Sequence, residues 1–556
     1  MPKRGNRITL VLRTQGPMRK DFKKRVLPLA VVLLLGALAP AVWLATVVPN
    51  EGLNFPSDDA WIHQVFARNL AREGRFEYNP GERSAGVTGP MWTMLVSETH
   101  FFRLPPRAAG AVLTAASHVL WCGAIYWLVM GIWPDRSRWW ATAAAALFTL
   151  FGPAVWFSVS GMETSLFFGM ATLAAAAFGR KRHAVAGFAA AVAVPLRPEG
   201  GLLVALLFGW WLVTLLREKR RPNAGELVGY VLMPLMIALP FVVHNWVVTG
   251  VPFPTTYFGR HWLYLGTVTP ETRLIWTGPP TLAFYWFRYL HIWMLGQSDL
   301  SNAMKIFTDP AALSQIGLWG AVILLIRRRL PAGFGFFIIW VLLHNLFYAL
   351  LLPNFGTAGR YEGCNFALFA VAIVFGARLI LGWVKEKYFK IIPYAFLAAA
   401  FVSAAGSYNA WRMMYADNIH HMTTVHEAAG KWVAENLPPG TRVAAFDIGV
   451  FGYYADHYII DLGGLLDRDA AKHLRDKTMS AYIKGKDADY LAMMEAETHD
   501  IVPLAERMGF YRDEGRVFDL ELKKSWSLNI SRRRWISVTA VAYPRLSLFE
   551  IRFLED

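Results

Sequence analysis

The strongest constraint on this chain is a recurrence of long apolar runs divided by short basic clusters. Residues 26–48, 108–127, 202–216, 227–248, 334–351 and 366–381 are each near the roughly 20 residues that a helix needs to cross a bilayer. Backbone amides in lipid must be satisfied within the segment or by a closed barrel, and unbroken apolar runs of this length predict helices. Counting the shorter runs at 140–157, 166–178, 184–194, 317–326 and 391–405 gives about eleven spans, a polytopic α-helical membrane protein. The short run 91–102 fits a re-entrant or interfacial helix. Composition agrees: 55% of residues are hydrophobic, only 17% are charged, and 23 tryptophans are present.

The formal charge of +16 invites a nucleic-acid reading, but no nucleic-acid motif accompanies it. The basic residues cluster at 180–183, 217–221, 327–329 and 385–390, always between apolar runs. The positive-inside rule places these clusters, and the basic N-terminus 1–25, on the cytoplasmic side. The polar stretches at 58–92, 160–164, 197–200, 252–260 and 354–362 then share the opposite face. The first apolar run is too long for a signal peptide and no small-residue cleavage site follows, so it is expected to remain as an anchor. Cys122 and Cys364 both fall in apolar runs, which argues against a disulfide framework.

The pattern changes after residue 406. A helix is predicted over 420–436, and short strands over 441–446, 458–461, 489–494 and 548–551. Residues 535–543 alternate only in their middle, so the sheet order stays open. The expected organisation is a transmembrane domain, 1–406, with an outer catalytic loop at 50–90, followed by an extracytoplasmic α/β domain, 407–556.

The loop at 58–92 is the most informative stretch. Asp58 and Asp59 open it. Trp61, Ile62, Val65, Phe66, Asn69 and Leu70 follow at the spacing of an amphipathic helix along a membrane surface, with Gly74 as C-cap. Carboxylates at a helix start can be simple caps. The functional alternative is a base or an electrostatic clamp. Arg197 ends an apolar run, and a charge there needs a partner or a polar cavity. Tyr257 with Arg260, and Arg360 with Tyr361, pair an aromatic with a guanidinium. Snorkelling is the structural reading of both pairs, and oxyanion binding is the functional one. Glu163 and Glu199 beside apolar runs read equally as caps or as polar site residues. His63, His244, His261 and His344 lack metal-ligand spacing, and a divalent ion at Asp58 and Asp59 stays open.

Glycosyl transfer makes physical sense of this set. A carboxylate can take the proton of an acceptor hydroxyl, and arginines can stabilise a departing lipid phosphate without a nucleotide. No Walker loop or Rossmann fingerprint is present or needed.

The residues DDAWIHQVFARNLAREGRFEYNPGERSAGVTGPMW at 58–92 resemble the first outer loop of the GT-C glycosyltransferases that use polyprenyl-phosphate sugars, especially the branch of mycobacterial arabinofuranosyltransferase B. SGMET at 160–164, RPEG at 197–200, PFPTTYF at 252–258, GRY at 359–361 and residues 447–467 are similar to further elements of those enzymes. The first loop departs from common relatives at Trp61, His63 and Gln64. The resemblance implies a GT-C fold and an inverting transfer of a sugar, arabinofuranose among the candidates, to an envelope glycan, lipid or protein. The expected setting is a bacterial inner or plasma membrane, with the active face extracytoplasmic by the positive-inside rule; no cofactor is expected to be required, with a divalent cation left open. By the same resemblance the acidic residue opening the loop is the base, with Asp58 favoured for proton abstraction and Asp59 for support. Arg197, Arg260, Tyr257, Arg360 and Tyr361 are expected at the lipid phosphate. His63, Arg68, Glu82, Glu163 and Glu199 are expected to orient acceptor or arginines. The alternatives are a polyprenyl-linked glycan flippase and a non-catalytic envelope-assembly protein.

Overall fold

The computed structural model describes residues 16–133, 138–265, 310–327, 329–351, 357–384, 386–495, 511–512, 515–516, 518–528 and 544–554. Among them, six helical stretches are long and apolar enough to cross a membrane: Val26–Glu51, Pro106–Ile132, Gly200–Glu218, Ala224–Thr249, Cys364–Trp383 and Phe389–Asn436. Shorter apolar helices lie at Thr164–Phe178, His183–Leu196, Leu313–Ile326 and Ala332–Tyr348. The chain is a multi-pass membrane protein with a sheet-containing C-terminal region.

The run expected at 140–157 is two helices, Arg138–Phe148 and Gly152–Phe157. The second opens with Gly152 and Pro153, and a proline in a helix's first turn gives up no intrahelical hydrogen bond, so it suits a fresh helix start. The run expected at 391–405 continues much further, as Ile392–His421, a π-helical turn at Met422–Glu427, and Ala428–Asn436. The segment 535–543 lies outside the described residues.

The helices pack around a core that includes Trp43, Trp121, Trp156, Trp340 and Trp411, all buried. Trp121 donates to Thr172 Oγ1 at 3.1 Å, which satisfies its ring N–H inside the bundle. Small residues set the closest approaches, as membrane helix packing requires. A Cβ on Gly187 would lie 1.8 Å from the Gly229 carbonyl oxygen, so only glycine permits the crossing of His183–Leu196 with the turn at Val228–Leu232.

The C-terminal region holds strands β1 (Arg442–Ala445), β2 (Tyr458–Asp461), β3 (Tyr490–Glu495), β4 (Tyr511–Arg512), β5 (Gly515–Arg516), β6 (Phe518–Ser527) and β7 (Arg545–Phe553). The main sheet runs β2-β1-β3-β7-β6. β1 pairs in parallel with β2 and β3, whereas β7 is antiparallel to β3 and β6. Alternate residues serve two cores. Ala444, Ile460, Leu491 and Met493 face the helices Arg468–Asp476 and Met479–Gly485. Val443, Ala445, Ile459, Ala492 and Met494 pack instead with Ile62, Val65 and Phe66 of the loop helix, Asp59–Glu73.

That contact corrects one expectation. The loop helix does not rest its apolar face on lipid. Residues 60–67 are all buried, between the bundle on one side and the sheet on the other. Its end matches the expectation: Gly74 adopts φ 68° and its N–H bonds to the Leu70 carbonyl.

Substituting Gly187 by alanine should lower the unfolding temperature of the purified protein, since overpacking costs about 1–3 kcal/mol. Gly209→Ala, where an added Cβ meets nothing within 4 Å, should leave that temperature unchanged or raise it. Circular dichroism melting of both variants in detergent checks the pair. Equal behaviour would discard the close-crossing account.

Candidate active site

Asp58 and Asp59 stand at the start of the loop helix, but they do different things. Successive helical residues project about 100° apart, so the two carboxylates leave the axis in different directions. Asp58 is the N-cap residue. Its Oδ2 accepts from Gly449 N at 2.8 Å and its Oδ1 from Val450 N at 2.7 Å, at the start of the helix Val450–Ala455. A Cβ on Gly449 would lie 1.9 Å from the Asp58 carbonyl oxygen, so glycine is needed for this clasp. Asp59 lines a small pocket of about 30 Å³. Its Oδ2 meets the Arg360 guanidinium directly and that of Arg260 at 3.7 Å.

Three guanidiniums surround one ring. Arg197, Arg360 and Arg260 lie 4.9, 5.1 and 5.3 Å from the centre of Tyr361. Tyr361 in turn stacks on Tyr348 with centres 5.0 Å apart. Arg197, only 4% exposed, is locked on three sides. It donates to Glu163 at 3.0 Å, to Glu199 at 2.5 Å and to the Tyr348 hydroxyl at 2.9 Å. Tyr348 also donates to Glu199. His63 Nε2 stands 3.4 Å from Glu163, and its Nδ1 pairs with the Thr93 hydroxyl at 2.8 Å. Arg360 contacts Met162 Sδ and the Tyr361 hydroxyl, while its Nε is buried with no hydrogen-bond partner among the described residues. Buried charges persist only when paired, and Arg197 with its two glutamates meets that condition fully.

The pocket therefore gathers Asp59, Arg197, Arg260, Arg360, Tyr361, His63 and Glu163 on its wall, with Glu199 behind Arg197. Asp58 is not on that wall. Arg68 lies elsewhere, donating to the Tyr453 carbonyl at 3.2 Å and covering its ring. Glu82 accepts from Tyr458 at a second cavity. Tyr257 packs on Phe253 and Phe258, and its neighbour Thr256 reaches the pocket. Sequence reasoning missed Tyr348, a hydroxyl hidden in an apolar run, and Asp447. Burial, with the charges of Asp58 and Asp59, raises the Asp447 carboxyl well above its usual range.

The electrostatics separate the two loop carboxylates. Burial chiefly, then the charge of Asp59, raises Asp58 to about 7 against the two amide bonds. Burial also works to raise Asp59, but Arg360 and Arg260 outweigh it and hold that carboxyl below its ordinary value. Glu163 follows the second pattern: burial is outweighed by His63 and Arg197, which bring it to about 2. For a divalent cation the fit is poor. Both Asp58 oxygens are occupied by N–H donors, two guanidiniums oppose a cation at Asp59, and the described residues contain no cluster of three metal-binding side chains.

Comparison with known proteins agrees with this architecture. Archaeal oligosaccharyltransferase AglB from Archaeoglobus fulgidus, in complex with an inhibitory peptide and a dolichol-phosphate, superposes with TM-score 0.57 at 13% identity. The match covers 90% of this chain and 73% of that one. ArnT from Cupriavidus metallidurans, bound to undecaprenyl phosphate, gives 0.50 at 13% identity over 93% and 97%. At such identity the likeness speaks to the fold: the chain has the fold of the GT-C superfamily. Residues 415–549 match a family described as a domain of unknown function (DUF8728). No curated protein matches the sequence.

A carboxyl whose folded pKa lies near 7 and whose unfolded pKa is near 4 binds its proton more tightly when folded between those values. Its contribution to stability therefore falls as pH rises through that window. Asp59, held low, contributes stability that is lost only as pH falls below the ordinary carboxylate range. The unfolding temperature should drop between pH 5 and pH 8, and Asp58→Asn should reduce the slope. An unchanged slope in that variant would assign the titration to another group.

Proposed function

We propose that this chain is a membrane glycosyltransferase that moves a sugar from a polyprenyl-phosphate donor to an acceptor hydroxyl, at the pocket containing Asp59. The observation that carries this reading is the placing of one carboxylate opposite the guanidiniums of Arg360 and Arg260, around Tyr361. A base and an oxyanion cradle side by side are what a displacement at an anomeric carbon needs. The GT-C neighbours bound to dolichol-phosphate and undecaprenyl phosphate support a lipid-phosphate donor.

In this reading the acceptor oxygen forms a bond to the anomeric carbon, and the bond from that carbon to the phosphate oxygen breaks. The bonding pair leaves with the polyprenyl phosphate, the acceptor proton passes to Asp59, and configuration inverts. Asp59 takes the base role because it faces the pocket, whereas Asp58 holds the C-terminal region through Gly449 and Val450. Arg360 and Arg260 receive the phosphate. Arg197, neutralised by Glu163 and Glu199, is a positioning residue that props Tyr361. When a donor phosphate draws Arg360 away, the charge that lowers Asp59 weakens and burial then raises its basicity. The base thus gains strength only with donor present.

The positive-inside pattern supports an extracytoplasmic site, and a bacterial inner membrane is the setting we assign. Arabinofuranose is one donor sugar compatible with the first-loop resemblance, and the acceptor is an envelope glycan, lipid or protein. We assign 1–406 as the membrane module with loop 50–90, and 407–556 as the outer α/β domain, within a total of about eleven spans.

The test uses purified protein in lipid nanodiscs, a panel of polyprenyl-phospho sugars and a crude envelope-glycan acceptor. Release of free polyprenyl phosphate is followed by mass spectrometry. One donor should be consumed, and Asp59→Asn should cut kcat by about 10²-fold or more. Arg260→Ala should mainly raise the donor KM. Normal turnover by a folded Asp59→Asn protein would sink the assignment.

A further inference from the structure

Of the three arginines at Tyr361, Arg260 is the one that its own contacts hold least. Arg197 has three hydrogen-bond partners, and Arg360 meets Asp59 directly. Among the described residues, Arg260 is held by the Asp59 carboxylate at 3.7 Å and the Tyr361 ring at 5.3 Å. Its place in the pocket therefore depends on the helix that carries it, Thr255–Leu265. Thr256 lies four residues before Arg260, so one face of that helix presents both, and both line the pocket. The Thr256 hydroxyl is buried without a hydrogen-bond partner among the described residues.

What sets the rotation of that face lies in the C-terminal region. Gly259 meets the turn after β2 backbone to backbone. A Cβ on it would lie 2.3 Å from the Gly464 carbonyl oxygen and 2.4 Å from that of Gly463. The turn itself is fixed by Asp461, which accepts from Gly463 N at 2.8 Å and from Leu466 N at 2.7 Å. Just beyond it, Arg468 opens the helix Arg468–Asp476 and reaches two further points. Its Nη1 donates to the Thr249 carbonyl at 2.7 Å, and its guanidinium carbon lies 5.1 Å from the centre of the Phe258 ring. Thr249 ends the spanning stretch Ala224–Thr249. Carbonyls at such an end have no partner within the helix, and the helix dipole favours a cation there. Phe258 sits two residues before Arg260. One guanidinium thus straps the end of a spanning helix to the helix that bears Arg260.

We propose that Arg468 is a positioning residue for the donor: it holds the helix face that brings Arg260 and Thr256 to the anion, without touching the anion itself. The identity of that anion as a lipid phosphate rests on the glycosyltransferase reading, whereas the coupling of Arg468 to Arg260 does not. Asp58 ties the same C-terminal region to the first loop at Gly449 and Val450. The region therefore braces the carboxylate side and the phosphate side of the pocket through two separate contacts.

Calorimetric titration of the full chain in nanodiscs with geranyl phosphate tests it, alongside donor consumption by the same variants. Arg260→Ala should weaken geranyl phosphate binding by about tenfold, the size of one charge-assisted hydrogen bond. Arg468→Ala should weaken it by about three- to tenfold, and by about twofold or less when Arg260 is already alanine, because residues acting through one contact are not additive. It should raise the donor KM with kcat near wild type, and Arg468→Lys should recover part of the affinity. Lys472→Ala, an exposed change on the same helix, should bind as wild type does. Should Arg468→Ala fail to fold, Phe258→Leu, which removes the ring under the guanidinium, is read in the same two backgrounds. Wild-type affinity in the folded strap variant, losses that multiply in the double variant, equal weakening by Lys472→Ala, or no binding of geranyl phosphate by the wild-type chain overturns the proposal. Donor consumption in any of those cases leaves the transferase reading standing without it. Binding that depends on Arg468 through Arg260, with no donor consumed, does the reverse.

Discussion

The burial of the loop helix Asp59–Glu73 under the C-terminal sheet is the contact on which the rest depends. Ile62, Val65 and Phe66 fill the face of the sheet made by Val443, Ala445 and Ile459. Each such side chain contributes about 1.5–3 kcal/mol when fully buried. The same helix packs Ala67 into the membrane bundle, so it joins two bodies of protein that are far apart in sequence. With the helix axis fixed on both sides, the rotation of every residue on it is fixed too. Asp58 then meets the amides of Gly449 and Val450, and Asp59 meets the arginines.

The charges around Tyr361 divide into a fixed set and an exchangeable set. Arg197 has Glu163, Glu199 and Tyr348 as partners, and breaking a buried pair of this kind typically costs about 3–5 kcal/mol. It is therefore held permanently. Arg360 and Arg260 share the single carboxylate of Asp59, and the Arg260 contact is long, at 3.7 Å. Two cations on one anion leave a positive surplus, which an incoming phosphate can take up. The surplus sits on the short helix Thr255–Leu265 and in a turn at Thr357–Glu362 rather than within a long apolar helix, where unpaired charge would be far more costly.

Much of this was legible in the chain. Apolar runs announced a membrane protein because length and hydropathy are local properties. The helix after Asp58, its Gly74 cap, and strands at 442–445 and 458–461 followed from local periodicity. Arg197 stood out because a charge closing an apolar run must have a partner. Of its partners, Glu163 and Glu199 were among the polar residues that the sequence singled out, and only the third did not stand out. Tyr348 is one hydroxyl in an apolar helix, and nothing in its neighbours signals that it faces Glu199 and Arg197 across the bundle. The helix at 392–421 outran its apolar stretch because its later, more polar residues are buried by tertiary contacts, Asp417 and Asn418 among them.

The sequence by itself determined the class of the protein, the positions of most elements and the pool of residues from which a site could be drawn, because helix-forming and span-forming signals lie within a few turns of chain. Only the tertiary structure decided which of two adjacent carboxylates faces the arginines. The two residues are chemically identical and contiguous, so no local signal distinguishes them. Their difference is a rotation of about 100° on a helix, and that rotation is set by the sheet packed against it from the far end of the chain.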